Sequence, residues 1–392
     1  MRFAGIDIGA ERHVVAVVDE AGGELVKATS FGEEATGYGK LLELLGPPEH
    51  VLIAMEATGH YWQNLFAVLA AQGYSIALLN PLRTHRFAGE DLQRAKTDAI
   101  DALSIARFAQ QKRPAATAVP DPVARELREL VHFRDRLVQD QGDRLRQLHR
   151  LVDLVFPELT RYVDLASERA AAVLHAYPTA EVLRVAKARK LAQIVTDSRQ
   201  HRVGKELAQQ LVAAATTSVG QHRGHAYELQ VRCLCEDLNV LRRRIRALDE
   251  EIGNLLDKHE VGKLLTTIDG IGPNTAARLI AELDDPARFK SSAALAAYVG
   301  VVPATSQSGK RERRHAPLAP AGNARLRTAL WMPTLSAVKH NPWLRQHYQR
   351  LVRAGKLRKV ALIASMRKLL IAVYTVAKRR KPFVPILTEA AP

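Results

Sequence analysis

Four carboxylates and one hydroxyl are the groups in this chain best suited to chemistry. Asp7 lies in Gly5-Ile6-Asp7-Ile8-Gly9, near the end of a strand-like run, where an acid among apolar neighbours is costly unless a partner or a cation meets it. Glu56 follows the apolar run VLIAM, at the end of a second strand where α/β proteins usually build ligand sites. Asp98 and Asp101 stand three apart in KTDAIDA, which puts both carboxylates on one helix face. Magnesium favours a few carboxylates plus substrate phosphate oxygens. Two such ions roughly 4 Å apart can clamp the attacking and leaving oxygens of a phosphodiester. Taken singly, Glu56 is as well read as a helix N-terminal acid, and Asp98 with Asp101 as a first-turn charge pair. Their order and placement favour one shared site for Mg2+, with Mn2+ as the alternative ion.

The hydroxyl is Ser308, in Ser306-Gln307-Ser308-Gly309-Lys310. A Ser-Gly pair is ordinarily a turn. A serine becomes a useful nucleophile only beside a base or metal, with cations to stabilise charge developing on phosphorus. Lys310, Arg311, Arg313, Arg314, Arg325 and Arg327 surround it in sequence, but no general base adjoins it. Upstream, Thr267-Ile268-Asp269-Gly270-Ile271-Gly272-Pro273 joins two helical patterns and reads as a helix-hairpin-helix. Gly270 and Gly272 permit the turn, and backbone N–H groups at the second helix's start can hold a nucleic-acid phosphate. The plainer reading is a glycine turn between packed helices.

These groups need elements to position them. Residues 3–8, 13–18 and 25–31 read as three strands of an antiparallel meander; a helix at 35–45, a strand at 51–55, a helix at 61–72, a strand at 75–79 and a helix over 97–111 follow. That β-β-β-α-β-α-β-α order is the order of the ribonuclease H-like fold. GIDIG also opens the sugar-kinase and actin-like ATPase fold, but the second phosphate loop and adenosine motif of that fold are not found at workable positions. A Pro-rich linker, Pro114 through Pro122, ends this α/β part, and a long helical stretch succeeds it. Tyr227, Val231, Leu234, Leu238, Leu241, Ile245, Leu248, Ile252 and Leu255 alternate spacings of four and three, a coiled-coil seam. A weaker seam, Leu127, Val131, Val138, Leu145, Leu148, Val152 and Val155, is interrupted at Arg134 and Gln141. The two seams fit an antiparallel pair within one chain as well as a zipper between chains. The expected division is an α/β domain over 1–113, a helical linker with coiled coil over 114–260, and a mostly helical third domain over 261–392.

At 392 residues, 47 % hydrophobic and 25 % charged, the chain has the composition of folded domains and not of a disordered or fibrous protein. Its net charge of +16 is localised: residues 301–392 hold 19 Lys and Arg against Glu312 and Glu389. One end of the molecule therefore seeks a polyanion, and nucleic acid is the first candidate. Cys233 and Cys235 are the only cysteines, too few for a disulfide framework or a four-ligand zinc site, and both read as structural residues on a helix. No signal-peptide pattern or uninterrupted membrane-length apolar run is found, so the expectation is a cytoplasmic, nucleoid-associated protein with no membrane partner.

Over essentially its full length the chain resembles the insertion-sequence "one-ten" family of DEDD transposases, which includes the pilin-gene-inverting recombinases. The matching segments are GIDIG, AMEATGHYW, NPLRTHRFAG, KTDAIDA, TIDGIGPNTAARLIAEL, FKSSAALAAYVGVVPATSQSGK and GNARLR. Asp269 departs from the pattern, standing where Pro is common. The resemblance implies a RuvC-like N-terminal domain whose metal ligands are Asp7, Glu56, Asp98 and Asp101, a helical coiled-coil linker, and a C-terminal transposase domain whose catalytic serine is Ser308, with Ser306 as the weaker choice. It implies donor and target DNA as substrates, a covalent serine–DNA link, a non-coding bridge RNA as guide, and a homo-oligomer, dimer or tetramer, in which one subunit's acids assist another's serine. With aromatic residues at only 5 %, no stacking platform is expected beside the basic excess, which favours backbone contacts and leaves base selection to pairing. Two other readings use the same residues: a junction endonuclease that only hydrolyses, and a nucleic-acid scaffold whose acids are merely structural.

Overall fold

The computed structural model describes residues 1–57, 59–81, 84, 87, 97–196, 201–302 and 322–385. By contacts the chain divides into two units, Met1–Val119 and Pro120–Pro392, so the boundary falls inside the Pro-rich stretch. Ser306, Ser308, Lys310, Arg311, Arg313 and Arg314 lie outside the described residues.

The first unit is built on a five-stranded mixed sheet. Its strands are β1 (Arg2–Asp7), β2 (Arg12–Val18), β3 (Glu24–Gly32), β4 (Val51–Glu56) and β5 (Ser75–Leu79), in the spatial order β3-β2-β1-β4-β5. β1 pairs antiparallel with β2 and parallel with β4, and β4 pairs parallel with β5. The helices α1 (Ala35–Leu45) and α2 (Trp62–Ala71) supply apolar residues to one face. There Leu41, Leu45, Leu65 and Leu69 meet Ala4, Ile6, Ile53 and Met55. The helix α3 (Asp98–Lys112) covers the other face, where Ile105, Ala106 and Ala109 meet Phe3, Leu52 and Ala54. All five expected strands and these three helices form within a residue or two of the spans read from sequence.

The second unit is helical among its described residues. A long helix, α4 (Pro122–Val155), leads through α5 (Glu168–Ala176), α6 (Ala180–Arg184), α7 (Ala188–Val195) and α8 (His201–Thr216) to a second long helix, α9 (His225–Leu256). The helices α4 and α9 pack antiparallel within the chain. Leu127 and Val131 share a core with Ile252 and Leu255, Leu137 packs on Leu241 and Ile245, and Leu148 lies with Val231 and Leu238. The strong seam is therefore internal to one chain. Its weaker partner slips by a residue: Leu137 is buried, whereas Val138, read as a seam residue, is 38 % exposed. The slip follows Arg134, whose guanidinium makes a two-pronged contact with Asp249, Nε to Oδ1 at 2.5 Å and Nη2 to Oδ2 at 3.3 Å. A polar layer thus replaces an apolar one, and the slip is local: Leu148, Val152 and Val155 are buried at the positions read from sequence. Cys235 is buried in this pair, which pushes its thiol up to about 12, so it is an inert packing residue.

The remaining helices are α10 (Glu260–Leu265), α11 (Pro273–Leu283), α12 (Ser292–Val299), α13 (Ala324–His340), α14 (Pro342–Arg353) and α15 (Arg358–Arg379). They share one core with Ala124, Leu127 and Val131 of α4 and with the end of α9, so the helical stretch and the third stretch belong to one unit. Among the described residues, α15 is the one helix long and apolar enough to cross a membrane, and 56 % of its most apolar window is buried inside this unit. Met366, Leu369, Leu370 and Val373 are part of its core.

Candidate functional site

Strand alternation decides which way the first two acids face. Successive side chains of a strand point to opposite faces, so Phe3, Gly5 and Asp7 share the face that α3 covers, as do Leu52, Ala54 and Glu56. Ile6 pairs with Met55 in the parallel ladder, which puts Asp7 and Glu56 one step further along neighbouring strand ends. The helix contributes the other two. Its buried stripe, Ala102, Ile105, Ala106 and Ala109, extends back at helical spacing to Asp101 and Asp98 in the first turn. Thr97 caps that turn, its hydroxyl accepting the Ile100 N–H at 3.3 Å. Both acids gain from the positive end of the helix dipole, so the plain reading of a first-turn pair and the functional one coexist.

Gly5 sets the approach of α3 to β1. A Cβ there would meet the Ala102 carbonyl oxygen and the Ala106 nitrogen at 2.2 Å, so only glycine lets helix backbone rest directly on the strand. The sequence motif places this glycine in a strand; its contact with a helix a hundred residues later is not visible there.

Asp7 senses the other three acids electrostatically. The Asp7 carboxyl is raised from the ordinary aspartate value to about 6, first by burial and then by repulsion from Asp101, Asp98 and Glu56. A backbone hydrogen bond from Ile8 opposes the shift. Glu56 is steadied by a residue that sequence reasoning passed over: the buried Thr84 contacts Glu56 Oε1 through its hydroxyl, which also lies 3.0 Å from the Pro81 carbonyl oxygen. Thr84 sits in NPLRTHRFAG, one of the segments quoted for the family resemblance, which is the signal that could have found it.

Among the described residues no three His, Cys, Asp or Glu side chains form a ready metal-holding group. The donor set nevertheless fits a hard divalent cation, being all carboxylate and free of sulfur and imidazole.

In the second unit the hairpin lies between α10 and α11. Gly270 has φ +102°, and a Cβ on it would meet Ala337 of α13 at 2.5 Å, so the turn needs glycine for both conformation and space. The Asp269 carbonyl accepts from the buried Asn341 amide at 3.2 Å, fixing the hairpin to the start of α14. Gly272 is the exposed N-cap residue of α11, with open space where a Cβ would stand.

Arg325 and Arg327 differ in their commitments. Arg327 donates to the Val299 carbonyl at 3.1 Å, while Asn323 N–H donates to the Tyr298 carbonyl at 2.9 Å, so the chain leaving α12 and the chain entering α13 are tied side by side. Ser308 belongs to the segment between these ties. Arg325 is 68 % exposed, 3.1 Å from His132 Nε2 and 3.9 Å from Glu282 Oε1. Burial would raise the Glu282 carboxyl, but hydrogen bonds from His132 and Asn323, with the His132 and Arg325 charges, hold it below the usual glutamate value.

Residues 4–157 match a family model described as a transposase of the DEDD type, and residues 262–349 match the model of the IS116/IS110/IS902 transposase family. The chain is 27 % identical over 390 residues to the insertion element IS116 uncharacterized 44.8 kDa protein of Streptomyces clavuligerus, covering 98 % of this chain and 96 % of that one. It is 26 % identical to the insertion element IS900 uncharacterized 42 kDa protein of Mycobacterium paratuberculosis, covering 99 % and 98 %. It is also 25 % identical to the pilin gene-inverting protein of Moraxella bovis, covering 85 % and 81 %. Matched at both the acidic and the hairpin-bearing segments, the chain belongs to the IS110/IS116 family of transposases.

Proposed function

We propose that this transposase mobilises its insertion sequence by metal-assisted cleavage and rejoining of DNA strands, with Asp7, Glu56, Asp98 and Asp101 holding Mg2+ or Mn2+ and Ser308 attacking phosphate. The observation that carries the reading is the placement of Asp7 and Glu56 at neighbouring ends of β1 and β4, on the face covered by the helix that bears Asp98 and Asp101, in a segment matching the DEDD transposases. Strand order β3-β2-β1-β4-β5, with the acids at the ends of β1 and β4 and the start of α3, supports a ribonuclease H-like, RuvC-like domain. The bound ion would supply charge neutralisation and orientation of phosphate oxygens.

The protein's own groups divide the work. Gly5 lets α3 deliver Asp98 and Asp101 to the strand ends, and Thr84 orients Glu56. Ser308 Oγ bonds to phosphorus as the bond to the departing sugar oxygen breaks; the serine proton leaves to a base and the departing oxygen keeps the bonding pair. The arginines flanking Ser308, Arg325 among them, offset charge on the phosphoryl oxygens. Gly270 and Gly272 present hairpin backbone to a DNA phosphate. The basic C-terminal region also suits a bridge RNA, whose base pairing would select donor and target DNA. A dimer or tetramer lets the acids of one subunit serve the serine of another. We place the protein in the cytoplasm, on the nucleoid.

The test is denaturing gel analysis of cleavage reactions on element-end DNA. A protein–DNA adduct is expected with the unaltered protein and with Ser306→Ala, and none with Ser308→Ala. Full cleavage by Ser308→Ala without any adduct would replace this reading with a hydrolytic junction endonuclease.

A further inference from the structure

The low aromatic content of the chain argues against a stacking platform near its basic end, yet folding brings two aromatic residues to one basic cleft. The helices α13, α14 and the start of α15 enclose an open cleft of about 770 Å3 lined by Trp331 and Tyr348 together with Lys339, Arg345, Arg358 and Lys359. The two aromatic residues are 17 positions apart in sequence and half-buried, and Leu335 and Leu362 provide apolar lining between them. No acid lines this cleft, and none of its four cations forms an ion pair among the described residues. Residues 323–385 contain fifteen Lys and Arg and no Asp or Glu, so compensation must come from elsewhere.

Two further cations, Lys368 and Arg350, which do not line the cleft, act on a neighbour of Tyr348. His347, beside Tyr348 on α14, is driven down to about 4 by burial and by the Lys368 and Arg350 charges. Such a surface repels a second copy of itself and attracts a polyanion. A duplex would satisfy the cations but not the aromatic faces, because its bases are stacked inside. A single strand satisfies both, laying a base against an aromatic ring while its phosphates meet the lysines and arginines.

We infer that the cleft between α13, α14 and α15 binds single-stranded DNA, taking an unpaired base against Trp331 and Tyr348 and the flanking phosphates against Lys339, Arg345, Arg358 and Lys359. DNA is chosen over RNA because a transposase acts on DNA, and strand exchange necessarily exposes unpaired bases. The inference rests on that family activity but not on the acidic site or on Ser308.

The experiment is fluorescence-anisotropy titration of the full chain, in chelator so that cleavage plays no part, with labelled oligothymidylate, the corresponding oligouridylate and a DNA duplex of equal length. Trp331→Ala is expected to weaken binding of the DNA single strand ~10-fold while leaving duplex binding within about twofold, and Trp331→Phe to retain most of the affinity. Arg358→Ala is expected to weaken single strand and duplex alike and to lower the salt dependence by about one counterion. Photocrosslinking of the unaltered protein to bromodeoxyuridine-substituted single strand should mark Trp331 or Tyr348. Equal loss of single-strand and duplex binding in Trp331→Ala, with no crosslink to either aromatic, overturns the inference. Tighter binding of oligouridylate with the same Trp331 dependence overturns the choice of DNA. Adduct formation by Ser308 is scored separately and is indifferent to all of these outcomes.

Discussion

In the N-terminal unit like charges are gathered where they repel: Asp7, half-buried at a strand end, is raised to about 6 by burial and by three neighbouring acids. In the C-terminal helices the opposite sign is gathered, yet much of it is dispersed over partners. Arg380 reaches Asp285 at 2.7 Å and Glu260 at 3.6 Å, Lys368 lies 4.3 Å from the centre of the Trp343 ring, and Arg327 is spent on a backbone carbonyl. The difference separates two uses of charge. Carboxylates set at neighbouring strand ends and in the first turn of a helix suit a small divalent cation, whereas cations spread over several helices suit a long anion.

The sharpest way to break this comparison is to remove one acid and ask which property fails. Asp7→Asn should lower Mg2+-dependent DNA cleavage by ~1000-fold, the several kcal/mol expected of a lost metal ligand, while DNA affinity measured in chelator changes less than about twofold. The same variant should raise stability. An aspartate whose folded value lies above its unfolded value holds more protons when folded, so between the ordinary value and about 6 its contribution to stability falls as pH rises. Above that window the ionised Asp7 is a net cost, about 1–2 kcal/mol after discounting for its partial exposure. Denaturant unfolding in chelator at neutral pH should therefore find Asp7→Asn more stable than the unaltered chain, and near pH 4 the two should converge.

A second variant sharpens the claim that backbone approach, and not the acids alone, makes the site. Gly5→Ala forces a Cβ into the Ala102 and Ala106 backbone. It should cost ~1–3 kcal/mol of stability as α3 is pushed away, and carboxyl chemical shifts should show Asp7 titrating closer to an ordinary aspartate. Thr84→Val, which removes the hydroxyl from Glu56, should reduce cleavage ~10-fold, with Thr84→Ser restoring most of it. The smallest effect belongs to the basic region. Arg325→Ala should weaken DNA binding only about threefold, as one exposed phosphate contact among many, and should lower the slope of affinity against salt by about one counterion.

Sequence reading reached the α/β elements, and the placing of Asp7 and Glu56 at strand ends and of Asp98 and Asp101 in a first helical turn, because these are local patterns: alternating β-branched runs, a three-residue helical spacing, acids closing apolar segments. It did not reach what depends on distant segments meeting. Gly5 and Ala106 are neighbours only once α3 lies on β1, and Thr84 touches Glu56 only when the segment after β5 turns back. The helical seam was legible in α9 and over most of α4, where Leu127, Val131, Leu148, Val152 and Val155 are buried as read; only beyond the Arg134–Asp249 contact does Leu137 take the buried place of Val138. Composition misled most over aromatics. A low total says nothing of where Trp331 and Tyr348 are brought, and they are brought to one cleft with four cations.

The claim on which the account turns is that the fold makes a divalent-cation site from Asp7, Glu56, Asp98 and Asp101. Calorimetric titration of Mn2+ into the unaltered chain and into Asp7→Asn, at neutral pH and near pH 5, measures it directly. Saturable binding that is lost in Asp7→Asn and weakened near pH 5, where Asp7 is largely protonated, is the predicted result. Equal Mn2+ binding by both proteins at both pH values would contradict it.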